Sequence, residues 1–362
     1  MGSRRTQIAE VTIQTAGCAT SALDNTPARF LEVRTSTGER GLAGPLRGSF
    51  TMLFADVLSN AIVGLDAMAQ EDVGRAALAA LHPGHPFQCP PVLGALDCAL
   101  WDLRGKLFGA PVFELLGGSQ RDAIPCYASV LSHGEEVETS IRLAKQIVNE
   151  GFLGQKWGLR KSLAGIPDVR HYVDFALRLR DAVGPTHLLM FDAFGAWDPG
   201  AIVRFCDAAR DVDIAWLEEP VPSNFPRLLA TLRQRCRVPI AAGEHCYDDA
   251  SALELLCPTA VDFFQPDFGW CGITVGCRMV AISRAWGIPI IPHGNSVLPA
   301  LHVATSLPVE VCPMFEYHFA PRFDRLAFLE SPPIPEDGYI RAPRTPGIGI
   351  AIRGNVAYKS ES

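Results

Sequence analysis

The sequence predicts an α/β protein: a TIM-like (β/α)7β barrel, one helix short of eight repeats, preceded by a smaller α+β lobe. Three observations lead there. Short apolar runs that end in an ionisable residue recur along the second half of the chain: LLMFDAF, AWLEEP, PIAAGEH, VDFFQPD, IPIIPHG and VCPMFEYH. Their ionisable residues, Asp192, Glu218, Glu244, Asp267, His293 and Glu316, recur every 23 or 26 residues, about the length of one strand–helix unit. Finally, the chain has 362 residues, too many for most single cores, and its first third has a different texture from the rest.

Taken in order, QIAEVTIQT (7–15) and RFLEVRTSTGERGLAG (29–44) alternate apolar and polar residues and predict a small antiparallel sheet, turned at Thr37-Gly38. The polar stretch Gly17 to Pro27 between them reads as a loop. Residues 45–93 read as largely helical, broken at Pro83-Gly84-His85-Pro86. GALDCALWDLRGKLFGAPVFELLGG (94–118) has helical spacing up to Gly109 and reads as a hinge, with Lys106 free to pair along the helix. These segments make residues 1–123 an α+β first lobe, which the resemblance given below makes a capping domain with its hinge. From Ile124 strands and helices alternate: CYASVLSH, helix 135–150, GQKWG, helix 167–183, then the carboxylate strands with helices near 199–210, 222–235, 249–256, 273–286 and 297–307. That assigns the barrel to 124–326. The tail, 327–362, carries strand and turn signals in PPIPEDGYI and TPGIGI and is expected to return to the cap. A doubly wound open sheet has the same alternation, but it would not gather six functional strand ends around one point.

One acid at a strand end can be a helix cap or a solvated loop residue. Six ionisable residues in register point to a site, because all strand C-termini of a parallel barrel open on one face. Carboxylates converging there repel one another unless a cation lies between them, and an all-oxygen set suits Mg²⁺ better than Zn²⁺. Asp192, Glu218 and Glu244 are the candidate metal ligands.

The net charge of −7, with no basic run or basic helix, argues against nucleic acid or an anionic membrane as partner. The N-terminus has no apolar signal region, and no run approaches the length of a membrane span. Eleven cysteines lie scattered without a CxxC, which reads as free thiols in a reducing cytoplasm; Cys98, Cys206 and Cys277 read as small core residues. The expected localisation is cytoplasmic, the expected partner a small anionic substrate, and the expected assembly a homo-oligomer. The tryptophans read as packing residues.

The ALDCALWDLRGKLFGAPVFELLGG segment and the order D…EEP…GEH…QPD…PHG…E, spread over nearly the whole chain, resemble the mandelate racemase and muconate lactonising group of the enolase superfamily. The resemblance implies the capping domain and (β/α)7β barrel described above. It implies one essential Mg²⁺ per subunit, bound by Asp192, Glu218 and Glu244, with Glu219 outside the ligand set. It implies removal of the proton next to a substrate carboxylate to give an enediolate. Asp267 and His293 match the family's dyad, with His293 as base and Asp267 orienting it. Glu316 matches the acid that hydrogen-bonds the substrate carboxylate, a donor only when protonated. Lys156 matches the first lysine of the family's KxK motif, a substrate contact.

The second lysine of that motif is absent: Gly158 stands there. A racemase of this group needs a base on each face of the substrate, and Phe194, two residues past Asp192, is no replacement. One base suffices for an elimination, since an imidazole that has taken the α-proton can hand a proton to the departing β-hydroxyl. The GEH, QPD…W, PHG…S and CP..EY details resemble the rhamnonate-dehydratase-like branch. The expected enzyme is therefore a hydro-lyase, an acid-sugar dehydratase giving a 2-keto-3-deoxy acid. The rivals are a racemase, epimerase or cycloisomerase on the same scaffold, and a non-catalytic ligand-binding homologue. Further candidate substrate contacts are His245, beside a ligand rather than itself one, His133 at the end of the first barrel strand, and Arg47 in the GPLRG loop.

Overall fold

The structure, a computed structural model, describes residues 6–20, 27–46, 50–81, 89–130, 136–159, 167–319, 326 and 328–353. Strands β1 (Ile8–Thr20), β2 (Pro27–Thr35) and β3 (Arg40–Leu46) form one antiparallel sheet in the order β1-β2-β3. Gly38 turns the chain between β2 and β3 at φ +96°, a conformation open to glycine. The stretch from Gly17, read as loop, is strand as far as Thr20, which pairs with Pro27 beyond an irregularity in the ladder. Ladder pairing needs backbone donors and acceptors, so polar residues without apolar alternation can still join it. Helices α1 (Phe50–Ile62) and α2 (Gln70–Leu81) follow, and Leu58, Ile62, Val73 and Ala77 pack with Phe30, Leu31 and Val33 of the sheet into one core. The expected break at 83–86 lies outside the described residues.

The hinge segment is longer than its sequence pattern suggested. Helix α3 (Cys89–Phe108) is followed by the single turn α4 (Val112–Leu115). The sheet lies directly on α3 because Gly41 has no side chain: a Cβ there would meet the Ala99 carbonyl at 2.0 Å. Asp102, fully buried, accepts from Lys106 at 2.6 Å and from the backbone N–H groups of Leu42 and Ile348, both at 2.8 Å. One carboxylate thus ties hinge, cap sheet and C-terminal tail together.

The second sheet is parallel, in the order β10-β4-β5-β6-β7-β8-β9. Its strands are β4 (Ile124–Val130), β5 (Gly154–Gly158), β6 (Leu188–Asp192), β7 (Ile214–Glu218), β8 (Ile240–Ala242), β9 (Phe263–Phe264) and β10 (Phe315–His318). The place between β9 and β10 is held by Ile290, a single parallel bridge to Phe264. Pro289 and Pro292, which lack N–H groups, flank it and limit the ladder there. Because β10 pairs with β4, the sheet curls round on itself. Between successive strand positions run α5 (Val137–Asn149), α6 (Val169–Val183), α7 (Pro199–Ala208), α8 (Pro226–Arg235), α9 (Asp249–Leu256), α10 (Ile273–Ala285) and α11 (Val297–Thr305). Seven helices therefore serve eight strand positions among the described residues, which is the (β/α)7β pattern.

Local chemistry explains several starts. Asp168 accepts from His171 N–H at the head of α6, and Asp198 accepts from Ala201 N–H at the head of α7, with Pro199 next to it. Asp248 and Ser251 form a capping box on α9. Tyr127, Met190, Trp216, Ala241 and Ile291 point inward from their strands and fill the barrel. The tail adds β11 (Tyr339–Ile340) antiparallel to the start of β4, then reaches the cap through Gly347, bridged to Pro111, and through Phe328, whose ring lies 5.0 Å from that of Phe30. Among the described residues no helix is long and apolar enough to cross a membrane, and the cysteines are free thiols.

His302 on α11 is wholly buried and accepts the Phe113 N–H at Nδ1, 3.3 Å, joining barrel to hinge. Burial pulls its pKa down from 6.5 to about 4. Below pH 6.5 the unfolded chain takes up a proton that the folded chain refuses, so this contribution is complete above 6.5 and is lost as pH falls toward 4. In His302→Asn the slope of unfolding free energy against pH over that window should flatten by about 1.4 kcal/mol per pH unit relative to the parent. Urea melts at stepped pH check this; parallel curves for the two proteins would contradict it.

Candidate active site

Strand register brings the predicted residues to one end of the barrel. Gly158, Asp192 and Glu218 end β5, β6 and β7, and pair in that order across the sheet. Glu244 lies two residues past β8. Asp267 lies three past β9, because Pro266 lacks the donor needed to extend that strand. Glu316, expected at a strand end, instead sits inside β10 opposite Tyr127. After two of these strands the backbone turns sharply, with Phe194 at φ +52° and Glu219 at φ +36°. Left-handed conformations at such residues cost of order 1–3 kcal/mol and gather at functional sites.

Lys156, on β5 and 3% exposed, is the hub. Its ammonium contacts Glu218 Oε1, lies 2.8 Å from Glu316 Oε1 and 3.6 Å from Asp192 Oδ2. Burial would favour the neutral amine, but Glu218 and Glu316 overcome it and hold the lysine charged. The same partnership settles Glu316: burial acts to raise its pKa, yet Lys156 and then His318 hold it well below the ordinary carboxylate range. Glu316 also accepts the Gly294 N–H at 2.7 Å. It stands here as an ionised acceptor, not as the protonated donor that a hydrogen bond to a carboxylate would require.

Across from this group, His293 donates from Nδ1 to Asp267 Oδ2, 2.7 Å away, and places Nε2 3.1 Å from Glu244 Oε2. Asp267 is fully buried and takes two more hydrogen bonds, from Gly269 N–H at 2.9 Å and Trp270 N–H at 3.0 Å. With Asp267 as acceptor, the Nδ1–H tautomer follows, leaving Nε2 for chemistry. Burial lowers the basicity of this imidazole, but Glu244 and Asp267 raise it more, to about 10.

Burial raises the pKa of Asp192 to about 6, of Glu218 to about 8 and of Glu244 to about 7. Burial outweighs the positive neighbours each acid has, and the three offer only oxygens, so the donor set fits a hard divalent cation. A cation shared by Glu244 would also relieve His293 of the charge that holds its proton. The three do not form one tight oxygen cluster: Lys156 draws Asp192 and Glu218, and His293 draws Glu244. Among the described residues, the ligand atoms found within 4.8 Å of one another are those of Glu219, Glu244 and His245, and those of His293, Glu316 and His318.

His245, half exposed, lies with Nδ1 3.0 Å from Glu219 Oε1 and 3.5 Å from Glu244 Oε1. His133 and Arg47 lie outside the described residues. Two further residues at this end of the barrel were not among the candidate site residues. Trp270, read as packing, has its ring 5.5 Å from that of His293 and 5.8 Å from that of His245. Gln265 donates from Nε2 to Glu218 Oε2 at 2.6 Å. The QPD and W spacing marked both positions, but their contacts cross strands and spacing alone carries no such distance.

This curled parallel sheet with acids at its strand ends under an antiparallel lobe has a known counterpart. The family model described as "Mandelate racemase / muconate lactonizing enzyme, N-terminal domain" matches residues 5–117, and that described as "Enolase C-terminal domain-like" matches residues 139–356. The chain belongs to the mandelate racemase and muconate lactonizing family of the enolase superfamily. It is 33% identical over 273 residues to a protein of Saccharopolyspora erythraea named L-rhamnonate dehydratase, covering 73% of this chain and 67% of the relative. A mandelate racemase/muconate lactonizing protein from Paracoccus denitrificans, solved as a complex with magnesium, is 25% identical with a TM-score of 0.85, covering 96% of each chain. The 3,6-anhydro-D-galactonate cycloisomerase from Zobellia galactanivorans shares the fold at 22% identity and a TM-score of 0.85, covering 96% of this chain and 97% of that one. Overall shape therefore does not select the reaction.

Lys156→Met removes the ammonium shared by three acids and leaves uncompensated buried charge. Breaking such a group costs about 3–5 kcal/mol. Urea unfolding should show that loss at pH 8 and a smaller one at pH 5, where the carboxyls take up protons cheaply. Unchanged stability at both pH values would contradict the assignment of Lys156 as hub.

Proposed function

We propose that the chain is a Mg²⁺-dependent hydro-lyase that dehydrates an acid sugar to a 2-keto-3-deoxy acid. The observation that carries this reading is a single oriented base. His293 is held by Asp267 at 2.7 Å, while β5 ends in Gly158, in register with Asp192, where no side chain is present to act from the other face. The similarity to a protein named L-rhamnonate dehydratase supports the same reaction class.

In this reading Asp192, Glu218 and Glu244 hold one Mg²⁺, which when bound acts as a Lewis acid on the substrate carboxylate, an effect worth several kcal/mol. Lys156, anchored by Glu316, supplies a fixed positive charge beside that carboxylate. His293 Nε2 takes the α-proton. Asp267 keeps the imidazole in the required tautomer and stabilises the imidazolium that forms. That imidazolium then returns its proton to the β-hydroxyl, which leaves as water, and the enol left behind tautomerises to the 2-keto acid. The wall formed by Trp270 and His245 borders the base on one side. The substrate is a small anion, and the protein works as a cytoplasmic homo-oligomer with capping, barrel and tail domains divided near residues 123 and 326.

A library of mono- and diacid sugars, incubated with the protein and Mg²⁺ and assayed for 2-keto product, tests the reading. Deuterium exchange at the α-carbon in D₂O without loss of water from any member would instead favour an epimerase or cycloisomerase. With a turned-over sugar in hand, His293→Asn should keep fold and metal binding but lower turnover by at least about 10²–10⁴-fold, since one group serves as both base and acid. α-Proton exchange should vanish in the same variant. Exchange persisting at the parent rate while dehydration stops would leave His293 as the acid only and place the base elsewhere.

A further inference from the structure

We infer that Gln265 is a positioning residue for the cation site, fixing the carboxylate of Glu218; this rests on the reading of Asp192, Glu218 and Glu244 as that site. Gln265 is 1% exposed, and its Nε2 donates to Glu218 Oε2 at 2.6 Å. Ionised, as a cation ligand must be, the Glu218 carboxylate only accepts, so the amide turns its NH₂ toward it. At the other end of the amide, Gln265 Oε1 is buried without a hydrogen-bond partner among the described residues. An unsatisfied buried carbonyl is destabilising, so an apolar residue of the same shape would serve stability better. Among the described residues, the one hydrogen bond that the Gln265 side chain makes is the bond to Glu218.

The two oxygens of Glu218 are thus held from opposite strands, Oε1 by Lys156 of β5 and Oε2 by Gln265 just past β9. With both ends pinned, the carboxylate cannot rotate about its terminal bond, and a cation meets a preset oxygen. The strut also joins the two halves of the site. Gln265 N–H donates to Ala242 O at 3.0 Å, and His293 N–H donates to Pro266 O at 3.1 Å. Asp267 then receives the His293 ring. Three consecutive residues therefore hold a metal ligand, the backbone of the base and the ring of the base.

Partners that orient a metal ligand typically change affinity by about 10–100-fold when removed. Gln265→Met keeps the unbranched shape and deletes the donor. Calorimetric titration with Mg²⁺ should show a loss of affinity in that range, with the melting temperature in EDTA no lower than that of the parent. Gln265→Asn, one methylene shorter, should lose affinity too. If the parent binds Mg²⁺ and folded Gln265→Met binds it within twofold as tightly, the proposal for Gln265 is overturned while the cation site stands. If the parent itself binds none, the cation site falls and Gln265 with it. Failure of both variants to fold would assign Gln265 to stability and overturn the proposal.

Discussion

The structure depends on balancing carboxylates crowded at one end of the barrel. Asp192, Glu218, Glu244, Asp267 and Glu316 gather there around Lys156 and His293, and most of these side chains are buried. Such a group is stable only if every acid has a positive neighbour or a set of donors. Each acid present meets that condition differently. Glu316 has Lys156 and a backbone N–H; Asp267 has two backbone N–H groups and the imidazole. Asp192 and Glu218 share Lys156, and Glu244 faces His293, while burial works against the charge on all three. These are the three acids proposed above to hold the cation.

The capping lobe does more than cover this end. Helix α3 is anchored to the segment that starts at Asp267. Cys98 Sγ lies 3.3 Å from Phe268 O, Trp101 Nε1 donates to Thr274 Oγ1 at 2.9 Å, and Asp97 accepts the Thr274 N–H at 2.9 Å. The helix approaches so closely at Gly94 that a Cβ would meet the Trp270 carbonyl at 2.2 Å. The loop holding the dyad is therefore clamped between barrel and cap. Placing a site on rigid, doubly supported elements keeps an imidazole within the narrow geometry that proton transfer needs.

Much of this was legible in the chain. The period of the strand ends and the apolar runs before them reflect the packing of successive strand–helix units, so the barrel and the identities of its end residues could be read directly. The limits of the elements were less visible. Gly17–Thr20 lacks an apolar rhythm but finds ladder partners, and the strand of IPIIPHG shrinks to one bridge because prolines flank it. The partners of each site residue were hidden for a different reason. Which carboxylate Lys156 chooses, and that Gln265 faces Glu218, are distances across strands far apart in sequence. The charge state of Glu316 follows from its distance to Lys156, which the linear order of residues does not carry.

The fold is shared with a cycloisomerase and with a magnesium-bound relative, so the arrangement of charge, not the barrel, must carry the account. Crystals of the protein soaked in Mn²⁺ and measured at the manganese absorption edge test that arrangement directly. The account predicts one anomalous peak bounded by oxygens of Asp192, Glu218 and Glu244. A peak seated instead among Glu219, Glu244 and His245, or no peak at the barrel end, would contradict it.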